Sequence, residues 1–320
     1  MSDSSDVTLT IDDRAVTVPA GTTVWEAARR AGIEIPVLCH DPALDPVAVC
    51  RVCVVEIEGA RVLAAACHRP VEPGMVVHTS TPRCQQARRM VVELLLADHP
   101  RPCAKHQQSG ECELERLAAA LGLDAPRFPA SRTWNGAVAP GRPALPLDLS
   151  SPVIAVDHSA CILCDRCLRA CDDIQCNEVI GRTGKGHATR IAFDDDRPMG
   201  ESTCVSCGEC MAHCPTGALT DKPLVLAVDP RQARPVATIC PYCGVGCSVT
   251  FHVQDGKVVR VTGRDGPANH GRLCVKGRYG YDYSSHPQRL TVPLIRREEF
   301  YPKGPLSEDV RGEGDYRRRK

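Results

Sequence analysis

Aromatic residues make up only 4% of this 320-residue chain, and no stretch approaches the roughly 20 apolar residues that span a bilayer. The first scarcity excludes a large aromatic core, and the second excludes a transmembrane helix. Charge of one sign is lacking too: Lys+Arg and Asp+Glu stand at 39 each, which removes any global electrostatic case for binding nucleic acid. The start, MSDSSDVTLTIDD, has neither a basic segment nor an apolar run, so it does not read as a secretory leader. The Arg29-Arg30 and Arg88-Arg89 pairs precede AGIEIPVLCHD and MVVELLLADHP, neither of which suits a twin-arginine signal. The expected location is the cytoplasm, with any membrane attachment made through a partner.

What the chain has in quantity is cysteine, 20 residues, and proline, 26. The usual size prior gives about two domains, but this composition points to several smaller units that bury little core each. Something else must hold such units together. In a reducing compartment cysteines do so as thiolate metal ligands, not as disulfides.

Residues from Asp6, DVTLTIDDRAVTVP, alternate apolar and polar around DDR and predict a β-hairpin. GTTVWEAARRAG predicts a helix capped by Thr22 or Thr23 and stopped by Gly32. Hairpin, helix and then cysteine loop is the order of a β-grasp ferredoxin, expected over 1–81. Residues 82–123 predict two helices flanking a Cys/His loop, and the proline-rich stretch 124–152 predicts an extended linker. Residues 153–224 hold an internal repeat, residues 234–297 a last compact unit, and residues 298–320 a tail without apolar period, expected to be flexible. The fold class that follows is α+β, built as a multidomain metal protein.

The repeat carries the strongest signal. CILCDRCLRAC and CVSCGECMAHC both read C-x2-C-x2-C-x3-C, a spacing that lets three thiolates wrap one cubane while the fourth cysteine reaches its neighbour. Carried over from two-cluster ferredoxins, Cys161, Cys164, Cys167 and Cys214 hold one [4Fe–4S] cluster, and Cys171, Cys204, Cys207 and Cys210 hold the second. Zinc prefers paired knuckles to four cysteines in one tight run. In the first unit Cys39, Cys50, Cys53 and Cys67 are spaced C-x10-C-x2-C-x13-C. With the hairpin and helix before them they favour [2Fe–2S], with zinc as the alternative.

The last unit has Cys240, Cys243, Cys247 and Cys274 in the spacing C-x2-C-x3-C-x26-C, read as a further [4Fe–4S] site. Lys276, two residues beyond, is either a charge partner for an anionic cofactor or an ordinary surface lysine. In the loop DHPRPCAKHQQSGEC, His99, Cys103, His106 and Cys112 have ligand-like spacing. Histidine can replace cysteine on iron, giving a candidate fourth [4Fe–4S] site, yet histidines in a polar loop are often simply solvated. CGVGC and GRTGKG lack the frames of a dinucleotide fingerprint and a phosphate loop. Cys84 and Cys176 fall outside every pattern and are expected to be packing or free thiols.

The segments CILCDRCLRACDDIQ, CVSCGECMAHCPTGAL, CPYCGVGC and RLCVKGRYGYDYSSHPQRLTVPLIRR, in this order, resemble the N-terminal half of cytoplasmic NAD-linked formate dehydrogenase α subunits that use molybdenum or tungsten. The resemblance covers roughly residues 6–297. It implies a β-grasp [2Fe–2S] ferredoxin, a helical Cys/His loop, a two-cluster bacterial-type ferredoxin and the small [4Fe–4S] domain of molybdopterin oxidoreductases. It further implies that Lys276 relays electrons between the Cys240–Cys274 cluster and a pterin. The molybdenum or tungsten bis-pterin and every catalytic residue would lie beyond residue 320, on a missing part of the same polypeptide or on a partner chain. The partners implied are that pterin-binding chain and flavin- and NAD-binding diaphorase-type subunits. One departure stands out: the family often has cysteine where this chain has His106.

Three other readings compete. The large iron–sulfur (G-type) component of NADH:quinone oxidoreductase shares the first three sites, as do diaphorase subunits and iron-only hydrogenases. A stand-alone iron–sulfur redox sensor or carrier would need no pterin-side lysine. A structural zinc protein would show no visible absorption.

Overall fold

The computed structural model describes residues 6–128, 133–134, 137–138, 146–222 and 232–293. Strands β1 (Asp6–Ile11) and β2 (Arg14–Pro19) form the predicted hairpin, in register from Asp6↔Pro19 to Ile11↔Arg14. Asp12 and Asp13 make the turn with φ of 45° and 64°, a conformation that aspartate tolerates better than most residues. Helix α1 (Val24–Arg30) starts at Thr23, whose hydroxyl accepts the Glu26 N–H at 3.2 Å. Of the two threonines, Thr23 is the cap.

Strands β3 (Val54–Ile57), β4 (Ala64–Ala65) and β5 (Val76–His78) complete a five-stranded sheet ordered β2-β1-β5-β3-β4. The β1–β5 pair is parallel, with Thr10 opposite Val76. This pairing brings two distant segments together, and α1 covers the sheet through Val24, Ala27 and Ala28 against Leu9, Ile11, Val55 and Val77. Each large aliphatic buried this way contributes roughly 1.5–3 kcal/mol.

Helix α2 (Pro82–Asp98) is capped by Thr81 and holds proline in its first turn, where the missing N–H costs nothing. Two helices were expected around the Cys/His loop, but the loop itself carries a third, α3 (Ala104–Ser109), before α4 (Glu113–Ala120). Gly110 closes α3 with φ of 71°. Of the linker, residues 129–132, 135–136 and 139–145 lie outside the described residues, and β6 (Thr133–Trp134) pairs with β7 (Ala137–Val138).

The repeat segment is framed by two small antiparallel pairs. β8 (Ile154–Val156) pairs with β11 (Leu219–Asp221), and β9 (Ile180–Thr183) with β10 (Arg190–Phe193). Between them lie α5 (Arg166–Arg169), continued by a π-helical turn over Ala170–Ile174, and α6 (Glu209–His213). Leu38, Val92, Leu96, Leu114, Ile154, Phe193 and Leu219 share one buried cluster, so α2, α4 and the repeat segment have a common core.

Strands β12 (Arg234–Ile239), β13 (Ser248–Gln254) and β14 (Lys257–Gly263) form a meander, followed by α7 (Val275–Tyr279). Its core is slight: Val249, Val261 and Leu273. Buried Asn269 reinforces it, accepting from the Ser248 N–H at 2.9 Å and donating to the Arg272 carbonyl at 3.0 Å. By contact the chain divides into Met1–Asp282 and Tyr283–Lys320. In the second unit, Arg289 stacks over the Tyr283 ring at 5.4 Å. The predicted tail, 298–320, lies outside the described residues. No helix among the described residues is long and apolar enough to cross a membrane.

Candidate metal centres

Cys39, Cys50, Cys53 and Cys67 converge at the edge of the β-grasp sheet. Cys39, Cys53 and Cys67 are almost wholly buried, and Cys50 is half-buried. The Cys39 N–H points at the Cys50 sulfur at 3.4 Å and the Cys50 N–H at the Cys39 sulfur at 3.5 Å. Ala48 and Arg51, at φ of 53° and 59°, give the loop the curvature that turns its amides inward. Hydrogen bonds from the Cys50 and Cys67 thiols pull the Cys39 thiol down to about 2. One from Cys67 brings Cys53 down to about 7, while the same hydrogen bonds, with burial, push the donating Cys50 and Cys67 thiols up.

The two repeat runs fold alike. Leu163 and Ser206, one residue before the second cysteine of each run, have φ of 53° and 56°; Asp165 and Gly208, one residue after it, have 60° and 81°. In each run an amide meets the first cysteine's sulfur: Leu163 N–H to Cys161 and Ser206 N–H to Cys204, both at 3.4 Å. Burial pushes the Cys164 and Cys167 thiols up, and the negative charges of Cys161 and Cys214 push them further. Cys210 is raised by burial and then by Cys207, Cys204 and Cys171. Cys214 and Cys210 are among the charges acting on the first run, and Cys171 and Cys214 among those acting on Cys210, so the cysteines of the two runs lie close together. Four thiolates so buried repel one another unless cationic iron compensates them, which is the charge balance an iron–sulfur cluster supplies.

Cys240, Cys243, Cys247 and Cys274 gather at the end of the meander, where the Cys240 N–H donates to the Cys247 carbonyl at 2.8 Å. Burial raises the Cys247 thiol, followed by the charges of Cys240, Cys243 and Cys274. This nest is more open than the others, because Cys243 and Cys274 are exposed. Lys276 is exposed too, in the first turn of α7. Cys84 is buried with its thiol 3.8 Å from the His78 carbonyl, and Cys176 is exposed.

The loop after α2 gathers a different set from the one its spacing suggested. The ligand atoms of His99, Cys103, Cys112 and Glu115 all lie within 4.8 Å of one another. His106 stands outside that group, its side chain 39% exposed and its Nδ1 3.7 Å from Glu115. Glu115 follows Cys112 at i+3 on α4, which puts both on one helix face.

Sequence reasoning missed the charged residues that join these nests. Arg166 and Arg169, inside the first run, are buried and reach across to the β-grasp loop. Arg166 donates to the His40 carbonyl at 2.6 Å and pairs with Glu113 at 2.7 Å. Arg169 donates to the carbonyls of Cys39 at 2.6 Å and Cys164 at 3.5 Å. His213 bridges Asp41 at 2.9 Å and Glu209 at 3.6 Å, and although burial opposes its charge, the two carboxylates raise it to about 9. Glu209 also pairs with Arg278, which donates to the Cys207 carbonyl at 2.9 Å. Only their position between cysteines hinted at these roles. Replacing Arg169 with methionine is expected to leave iron content unchanged while amide exchange of residues 39–50 accelerates roughly tenfold or more. That matches the loss of hydrogen bonds to a charged group, worth about 1.5–3 kcal/mol, and unchanged exchange would show that Arg169 does not tie the loop.

Comparison with known proteins follows the same segmentation. Residues 4–82 match a 2Fe-2S iron-sulfur cluster binding domain, 88–127 an NADH-ubiquinone oxidoreductase-G iron-sulfur binding region, 160–218 a 4Fe-4S dicluster domain and 233–286 a molybdopterin oxidoreductase Fe4S4 domain. A chain of an NAD+-reducing [NiFe]-hydrogenase crystal structure, in the H2-reduced state, superposes with a TM-score of 0.58 at 30% identity, covering 70% of this chain and 94% of that one. The chain belongs to the iron–sulfur module family shared by NADH-quinone oxidoreductase of the G type, NAD-reducing hydrogenase and molybdopterin oxidoreductases.

The module is 36% identical over 293 residues to NADPH-Fe(3+) oxidoreductase subunit alpha of Geobacter sulfurreducens, covering 92% of this chain and 33% of that protein. It is 37% identical over 295 residues to a G-type NADH-quinone oxidoreductase protein of Rhizobium meliloti, covering 91% and 33%. It thus spans about a third of the length of these curated relatives. The fold is a multidomain α+β iron–sulfur protein with one 2Fe-2S and several 4Fe-4S domains. The all-thiolate donor sets in three of its segments suit iron–sulfur clusters.

Proposed function

We propose that this chain is the electron-carrying part of an NAD(P)-linked oxidoreductase. One observation carries the reading: successive cysteine nests are joined by buried ionic and hydrogen-bonded ties. Arg169 links the Cys39 loop to Cys164, and Glu209 with Arg278 links the second repeat run to the segment ending at Cys274. Such ties hold nests at fixed separations and keep water out. When bound, iron–sulfur clusters accept and release single electrons at potentials tuned by ligand type, hydrogen bonds to sulfur and burial.

The ligand sets we assign are Cys39, Cys50, Cys53 and Cys67 for a [2Fe–2S] cluster, and three [4Fe–4S] sets. Those are Cys161, Cys164, Cys167 and Cys214; Cys171, Cys204, Cys207 and Cys210; and Cys240, Cys243, Cys247 and Cys274. The domain boundaries are those read from the sequence. No residue of this chain is assigned a catalytic role.

The finer reading is a formate dehydrogenase, in which a molybdenum or tungsten bis-pterin on other domains or a partner chain serves the Cys240–Cys274 end. The open face there supports a covering partner: Ile239, Val245 and Val275 are 53%, 57% and 37% exposed beside the exposed Lys276. On this reading Lys276 faces the pterin, and flavin- and NAD-binding subunits meet the β-grasp end. A G-type role in NADH:quinone oxidoreduction is the second reading, favoured by the 37% identity to the Rhizobium protein.

The test is anaerobic purification of the native complex through a tag on this chain. The expected result is molybdenum or tungsten, a co-purifying pterin chain and formate-dependent reduction of NAD or viologen. NADH-driven quinone reduction without either metal would replace formate dehydrogenase with the second reading. Iron and sulfide with no partner and no activity would leave a stand-alone carrier or sensor and remove the enzyme role.

A further inference from the structure

The segment 88–127 matches an iron-sulfur binding region, yet its donors do not suit a four-iron cluster. A cubane takes its ligands at four separate irons, so they spread wider than the ligands of one ion. Here His99, Cys103, Cys112 and Glu115 present one nitrogen, two sulfurs and one carboxylate oxygen within 4.8 Å of one another. Among the described residues this is the one His/Cys/carboxylate group drawn together so tightly. A tetrahedral ion with bonds of about 2.0–2.3 Å separates its ligands by roughly 3.3–3.8 Å. The observed pairs fall there: His99 Nε2 lies 3.6 Å from the Cys112 sulfur and 3.4 Å from Glu115 Oε1.

The group is also sealed. The His99 side chain is fully buried, Cys103 and Cys112 are at most 1% exposed, and the Glu115 side chain is 9% exposed. Glu115 Oε1 accepts the Cys103 N–H at 2.8 Å, and a cation among the four donors would complete the compensation of so enclosed a carboxylate. His106, the residue at a thiolate-spaced position, stands outside the group.

We propose that His99, Cys103, Cys112 and Glu115 bind a single zinc ion, and that no four-iron cluster forms in this loop. Nitrogen, thiolate and carboxylate are the donors zinc takes, and four protein ligands make a closed, redox-inert site. Its place in the fold gives it a structural task. Gly217 passes so near that a Cβ there would lie 3.0 Å from the Cys103 sulfur. Lys105 donates to the Cys214 carbonyl at 2.5 Å, and the Glu113 N–H to the Pro215 carbonyl at 2.8 Å. The ion clamps α2 and α4 to one another and against the Cys214–Gly217 turn. On the relay reading, which this metal assignment does not need, the clamp stands beside the carriers without exchanging electrons.

The test uses the full chain, purified anaerobically with zinc in the medium, with iron, sulfide and zinc counted per chain. The expected result is one zinc in the native chain and in His106→Ala. Glu115→Gln and Cys112→Ser lose most of the zinc, with iron and sulfide unchanged in every variant. Unchanged iron doubles as the sign that each variant is folded. Cobalt supplied in place of zinc should give thiolate charge-transfer and tetrahedral ligand-field bands that Glu115→Gln shifts. Four irons and four sulfides lost on Cys112→Ser would overturn the proposal in favour of a cluster. Absence of zinc and cobalt from the native chain, or their retention in both ligand variants, would overturn it as well.

Discussion

Cys164→Ala releases residues 155–222 from their fold and with them both four-iron clusters' worth of metal, about eight irons and eight sulfides per chain. The loss is large because the segment's regular elements are short and its share of the common core is modest for its length. Its two strand pairs are three and four residues long, and α5 and α6 have four and five residues. Ile154, Ile191, Phe193 and Leu219 supply apolar burial, but only a few side chains of that size are present. Ordering some 70 residues costs about 1–2 kcal/mol each in backbone entropy alone. Metal ligation, on the order of 10 kcal/mol for a structural site, then decides whether the segment folds. Anaerobic iron and sulfide counts together with hydrogen exchange are the measurement. Full iron content with native protection over 155–222 would remove Cys164 from the ligand list.

The second large effect is expected at the junction between α6 and α7. Glu209 and Arg278 pair at 2.5 Å with side chains only 2% and 4% exposed, and Glu209 also accepts the Leu273 N–H at 3.0 Å. Burial opposes the Glu209 charge, but His213 and Arg278 outweigh it and hold the carboxyl below its ordinary range. Glu209→Ala leaves the buried guanidinium with the Cys207 carbonyl but without its carboxylate, a loss of about 3–5 kcal/mol for a buried pair. Protection of the Leu273–Tyr279 amides should fall by roughly 100-fold or more. Glu209→Leu with Arg278→Met together should recover much of it, because two apolar groups of similar volume carry no buried charge. If Glu209→Ala alone exchanges like the native chain, the pair does not secure the junction.

Gly208 belongs to the same junction. Its φ of 81° repeats the left-handed turn that Asp165 makes in the first run, but a Cβ there would sit 2.5 Å from the Arg278 side chain. At the matching place in the first run, the Asp165 side chain instead accepts from Arg182 Nε at 2.8 Å. The same turn thus meets two different residue requirements, set by what packs outside it.

Much of this was legible from spacing. The β-grasp hairpin and α1 announced themselves through period-two alternation and a threonine cap, because strand and helix periodicities are local properties of the chain. The grouping we assign to the repeat cysteines rests on the x2-x2-x3 pattern, since so short a run can face only one cluster and must send its fourth cysteine elsewhere. The Cys/His loop was the place where spacing left a residue unnamed. His106 sits at a ligand-like interval with its Nδ1 buried 3.7 Å from Glu115, and Glu115 joins His99, Cys103 and Cys112 from the first turn of α4.

What the sequence by itself determined is the inventory: the cysteine runs and their spacings, and the hairpin and capped helix that precede the first of them. Tertiary structure alone decided the rest. It set Arg166 and Arg169 against carbonyls more than a hundred residues away, buried the Glu209–Arg278 pair, and brought Glu115 beside His99, Cys103 and Cys112. The reason is physical. Ligand spacing is set by chain geometry over a few residues, whereas a buried charge is stable only beside a partner that the fold must bring from elsewhere.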